Sequence, residues 1–309
     1  MWLGGPVEDR IDAFLHYMSA ERGSSRNTID AYRNDLTRFA SFAGERAGNG
    51  EVPEASSIDR DLITGYVGWL GERGYAPATI ARKVAAVKSF CGYLLDHGDL
   101  TENPTASIDS PRAPKATPKP LSTQQVDALL QQPLTSTTPE AIRDSSMLEL
   151  MYATGMRVTE LVSLNLDSLH LTPRPGSVRC IGKGDRERTI PVYDKAMDAV
   201  ERYLDESRPR LLKGRPQEAL FVNRRGERLT RQGFWMILKN YARAAEIDTR
   251  VTPHTLRHSF ATHMLRGGAS VRDVQKLLGH ANVSTTQIYT RLADTHLREV
   301  FEQAHPRAN

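Results

Sequence analysis

SVRCIGKGDRERTIPV, residues 177–192, breaks the pattern of everything around it. On both sides apolar residues recur every three or four positions, the signature of helices with one buried face. Here two short runs of β-branched and apolar residues flank GKGD, which reads as a β-hairpin with its turn at Gly182–Asp185. One hairpin among helices predicts a mainly α chain with a small β-hairpin or sheet, an α+β fold.

Outward from the hairpin, periodicity predicts helices over about 138–155 and 157–165 on one side. On the other it predicts 194–207, 231–246, 253–267, 270–279, 282–291 and 293–304. LSTQQVDALLQQ opens this half, with Ser122 and Gln125 at capping-box spacing. Before it, residues 101–120 hold five prolines and no apolar period, so they read as an extended linker. Earlier still, EDRIDAFLHYMSAER, NTIDAYRNDLTRFASFA, DRDLITGYVGWLGERG and PATIARKVAAVKSFCGYLLDHG read as four amphipathic helices with short loops, a small bundle. Gly74 and Gly98 mark helix ends and Pro77 suits a first turn. The expected organisation is an N-terminal helical domain over 1–105, a linker over 106–120 and a C-terminal domain over 121–309.

The 309 residues are enough for two cores without disulfides or metals. Two cysteines far apart, Cys91 and Cys180, point to a reducing compartment. MWLGGPVEDRIDAF has neither the basic nor the apolar region of a signal peptide, and no run of 18 apolar residues occurs, so a cytoplasmic protein with no membrane span is expected. Net charge is only +4, but residues 1–110 carry −5 and the remainder +9. Residues 208–231 hold eight basic and two acidic side chains, either a phosphate-contacting surface or a solvated arginine-rich face.

Six side chains form the chemical inventory. Arg157, after Gly155 in YATGMRVTEL, starts a helix whose Glu160 is placed to orient its guanidinium. Lys183 lies at the glycine-flanked hairpin tip. In TPHTLRHSFATHML, Thr252 is a helix N-cap and His254 and Arg257 share a face near a helix N-terminus, an anion-binding arrangement. His254, His258 and His263 suggest zinc at first glance. The residue after His254 is threonine rather than glutamate, however, and no carboxylate or cysteine completes a ligand set, so no metal is expected. His280 follows the helix-ending Gly279, and Tyr289 lies nine residues on. Each alone is more often structural. Together, two arginines, a lysine and two histidines around one tyrosine suit metal-independent phosphoryl transfer from DNA to a tyrosine nucleophile, because arginine forks bind phosphate oxygens.

These motifs also carry a resemblance. MYATGMRVTEL (with Met151 in place of the expected leucine), GKGDRER, HTLRHSFATHML, LLGHANVSTTQIYTRL and AHPRA, with TIDAYRNDL and TRQGFWMILKNYA, are similar in order and spacing to the tyrosine recombinase, or phage integrase, family, Xer subgroup. The resemblance covers nearly the whole chain. It implies an N-terminal four-helix SAM-like DNA-binding domain and a catalytic domain that clamp double-stranded DNA. Arg157 and Arg257 would hold the scissile phosphate, Lys183 would protonate the leaving 5′ oxygen, and His254 would assist proton transfer. His280 would hydrogen-bond the phosphate and Tyr289 would attack it, leaving a 3′-phosphotyrosine, with Glu160 in support. It implies no cofactor, a dif-like site, and a tetrameric synapse with copies of itself or a paralogous XerC-like recombinase. An FtsK-type DNA translocase and a role in chromosome-dimer resolution are implied as well. The last helix, residues 293–304, would dock on a neighbouring protomer or pack in cis. A mobile-element integrase, a type IB topoisomerase-like enzyme and a non-catalytic architectural DNA-binding protein are the alternatives.

Overall fold

The computed structural model describes residues 5–48, 53–108, 119–172, 174–182, 187–279 and 291–308. The chain divides into two compact units, Met1–Thr117 and Pro118–Asn309. The proline-rich stretch 109–118 lies outside the described residues.

The first unit holds α1 (Val7–Ala20), α2 (Arg26–Ala47), α3 (Arg60–Glu72) and α4 (Pro77–Asp96). Ser25 and Asp59 cap α2 and α3 through their side chains, and Pro77 opens α4. α1 packs on α2 and α4, and α3 packs on the same pair. Phe14, Leu36, Phe39, Tyr66, Val87 and Phe90 fill the interior, each side chain contributing about 1.5–3 kcal/mol by leaving water. Asp35 is a buried carboxylate of this bundle, and it is paired with Lys83 at 2.9 Å and with Arg82. Pairing is what makes such a charge tolerable inside.

In the second unit, α5 (Thr123–Gln131) begins with the expected Ser122–Gln125 capping box. α6 (Pro139–Thr154) is buried along its whole length from Ala141 to Thr154. α7 (Val158–Ser163) follows after three residues. The sheet then has three antiparallel strands rather than two, β1 (Leu169–His170), β2 (Ser177–Ile181) and β3 (Glu187–Pro191), in the order β1-β2-β3. β1 escapes sequence reading because two residues show no period, and pairing with Ser177 and Val178 alone defines it. The hairpin register places Val178 opposite Ile190 and Cys180 opposite Arg188. The turn residues 183–186 lie outside the described residues.

α8 (Asp194–Arg202) ends earlier than expected, because residues Tyr203–Ser207 widen into a π-helical turn before α9 (Arg208–Leu212). α10 (Arg231–Ala244), α11 (Pro253–Arg266) and α12 (Val271–Leu278) match the periodic stretches, with α11 capped by Thr252. The helix expected at 282–291 falls on residues outside those described, apart from Arg291. α13 (Arg291–Ala304) packs in cis against α11, α12 and β3. Beyond it His305 is buried among the rings of Tyr152, Tyr193, Phe260 and Phe301. Arg307 bonds Glu149 at 2.7 Å and also Asp127.

Candidate active site

Arg157 and Arg257 reach the same place from different helices. α6 ends at Gly155, whose φ of +58° only glycine adopts without strain, and the chain turns sharply into α7. Arg157 is the N-cap of α7. Its backbone N–H donates to Glu160 Oε2 at 2.7 Å and its Nη1 to Glu160 Oε1 at 3.1 Å. The Glu160 side chain is 4% exposed while that of Arg157 is 43% exposed, so the carboxylate forms the floor and the guanidinium the surface.

Arg257 lies one turn after His254 on α11, and its guanidinium is buried. It donates to the Gly155 carbonyl at 2.8 Å and the Leu278 carbonyl at 2.7 Å. Burial and the neighbouring positive charge of Arg157 together lower its pKa to about 10. His254 is exposed at the second position of α11. His263 does not join it, because it is buried and its Nδ1 meets the Tyr152 hydroxyl at 2.8 Å. Among the described residues no group of three or more His, Cys, Asp or Glu side chains is placed to hold a metal. Lys183, His280 and Tyr289 lie outside the described residues.

One site residue is absent from the sequence reading. Arg188 on β3 forks both oxygens of Glu160, at 2.9 and 2.7 Å, and donates Nε to the Leu277 carbonyl at 3.0 Å. Its signal was strand parity, since Arg188 and Ile190 share one face of β3 and Ile190 is fully buried. A charge on a core-facing position needs a buried partner. Glu160 is that partner: burial alone would raise its pKa, but hydrogen bonds from Arg188 and Arg157 outweigh burial and hold it below the ordinary carboxylate value. The site therefore gathers three guanidiniums around one carboxylate, an excess of positive charge facing outward through Arg157.

The arginine-rich stretch is more mixed than its composition implied. Arg208 is buried and donates to the Gln217, Ala219 and Leu220 carbonyls. Arg228 donates to the Val162 and Leu164 carbonyls and to Asn165. Arg210, Lys213, Arg215, Arg224, Arg225 and Arg231 are exposed.

Residues 119–296 match the phage integrase family and residues 11–98 match the phage integrase N-terminal SAM-like domain. The chain belongs to the phage integrase family. It is 45% identical to the tyrosine recombinase XerD of Listeria monocytogenes serovar 1/2a, over 98% of this chain and 100% of that protein. It is 47% identical to the tyrosine recombinase XerC of Herpetosiphon aurantiacus, over 93% of this chain and 92% of that one. In fold it is similar to the XerH site-specific recombinase bound to its difH substrate, with a TM-score of 0.68, 20% identity and coverage of 93% of this chain and 83% of that one. As a family member of the Xer subgroup, the chain is a tyrosine recombinase, an enzyme of site-specific DNA cleavage and rejoining. No described helix is long and apolar enough to cross a membrane.

Proposed function

We propose that this recombinase opens a DNA strand by attack of Tyr289 on a phosphodiester held by Arg157 and Arg257. The observation that carries the reading is the surplus of guanidinium charge around the single carboxylate Glu160, which together with burial lowers the pKa of Arg257 to about 10 and which a phosphate would relieve. In the scheme, the Tyr289 oxygen bonds phosphorus as the bond to the 5′ oxygen breaks. Lys183 gives that oxygen a proton, His254 assists removal of the tyrosine proton, and His280 hydrogen-bonds a phosphate oxygen. The 3′-phosphotyrosine remains a diester, so a second strand's 5′-hydroxyl reverses the step without ATP. Donors fixed where charge develops supply the largest share of the rate.

The N-terminal bundle, the segment 106–120 and the catalytic unit over 121–309 act as a clamp on double-stranded DNA. The proposal extends to a dif-like site, a tetrameric synapse with copies of this chain or with an XerC-like paralogue, and an FtsK-type translocase as partner, and it rests on the likeness to the XerC and XerD recombinases. The proposed role is cytoplasmic, in chromosome-dimer resolution during division. The test uses a duplex nicked beside the cleavage point, so that the covalent adduct is trapped. Tyr289→Phe abolishes the adduct, and its persistence in that variant sinks the assignment. Arg157→Ala slows its formation by about 10²–10³-fold, the usual loss for one donor to a developing charge.

A further inference from the structure

Arg188 commits its guanidinium donors to two distant parts of the site. Both ends of its fork lie on Glu160, and Nε lies on the carbonyl of Leu277, in the last turn of α12 and three residues before His280. Gly279 clears the space, because its φ is +64° and a Cβ placed there would fall 2.9 Å from Arg188 Nη1. One side chain thus joins the carboxylate beneath Arg157 to the helix end that leads to His280.

We propose that Arg188 is a positioning residue for strand cleavage: it keeps Glu160 shared between two guanidiniums, so that Arg157 presents its charge outward, and it fixes the exit of α12. The inference rests on the reading of Arg157 as a phosphate-holding group. Arg157 gives Glu160 only one side-chain N–H, at 3.1 Å, beside its backbone N–H. A carboxylate left with a single guanidinium forms the bidentate fork that this geometry favours. Without Arg188, Glu160 draws the half-exposed Arg157 side chain into that fork and cancels the charge meant for phosphate. Cys180, opposite Arg188 in the hairpin, cannot substitute, because a thiol carries no positive charge in either protonation state.

The experiment uses the full-length protein and the nicked duplex, with DNA affinity and thermal melting measured alongside. Arg188→Gln is expected to slow adduct formation by about 10- to 100-fold, the scale of a misplaced positioning group, while DNA affinity stays nearly constant. Adding Glu160→Gln to Arg188→Gln removes the carboxylate that captures Arg157 and restores part of the lost rate. A merely structural bond is not repaired by deleting its partner, so this rescue is specific to charge. Arg188→Gln cleaving at the parent rate, or a double variant no faster than Arg188→Gln, overturns the proposal. If Arg188→Gln does not fold, Arg188→Lys and Arg188→Lys with Glu160→Gln carry the same comparison. Arg157→Ala separates the two readings: if it cleaves like the parent, the phosphate assignment itself fails, whatever Arg188 does.

Discussion

Arg257 is both a chemical group and a structural tie, because its two terminal nitrogens hold the carbonyls of Gly155 and Leu278. A lysine ammonium is a point donor and cannot span both. Arg257→Lys is therefore expected to lower unfolding free energy by about 1–3 kcal/mol, the cost of one buried carbonyl left without a partner, and to lose adduct formation as well. Urea denaturation checks the first effect, and a variant as stable as the parent refutes the double anchor. At this scale the sequence was informative where spacing carries meaning. Arg157 with Glu160 and His254 with Arg257 stand three apart on helices, so their shared faces could be read directly. Arg188 was not legible in the same way, since in GKGDRER it is one arginine among charged neighbours and only the buried Ile190 two residues on betrays its direction.

Among elements, the turn from α6 to α7 sets the position of Arg157. Gly155 adopts φ +58°, and a Cβ there would sit 2.3 Å from Phe260 Cδ1. Gly155→Ala combines left-handed strain of about 1–2 kcal/mol with overpacking of about 1–3 kcal/mol, so a loss of about 2–5 kcal/mol is expected in chemical denaturation. A change within experimental error contradicts the close approach of Phe260. Caps and glycine stops were legible because they are local chemistry, as Ser122, Thr252, Gly74 and Gly98 show. What escaped depends on distant partners. β1 exists by pairing with β2, and the π-turn at Tyr203–Ser207 accommodates Tyr203 against the Leu220 carbonyl. α6 stands where a helix was expected, over about 138–155, but its burial on every side from Ala141 to Thr154 was not legible. Its Arg143 and Asp144 neutralise each other, and Tyr193 and Arg307 satisfy Glu149.

For the whole molecule, affinity for DNA is expected to fall steeply with salt as phosphate counterions are released, with a slope of log K against log salt between about −3 and −6. Arg225→Ala, an exposed position, makes that slope shallower. Arg208→Ala leaves the slope unchanged and lowers the melting temperature, because its donors serve internal carbonyls. Equal slope changes for both would contradict the division of the cluster into inward and outward cations. Acid sensitivity has a separate source. Burial lowers the His305 pKa to about 3, against an ordinary value of 6.5. The unfolded chain therefore binds a proton that the folded one refuses, and stability falls as pH drops below 6.5 toward 3. One such histidine costs about 1.4 kcal/mol at pH 5.5. His305→Phe is expected to flatten that part of the melting profile, and an unchanged slope refutes the assignment. The same clasp bears on synthesis. Arg307 and Asp127 are 180 residues apart, so the contact closes only once nearly the entire catalytic unit has been made. While residues 305–307 are still inside the ribosomal exit tunnel, the aromatic slot beside Tyr152 and Phe260 stands open, and their emergence becomes the event that completes the core.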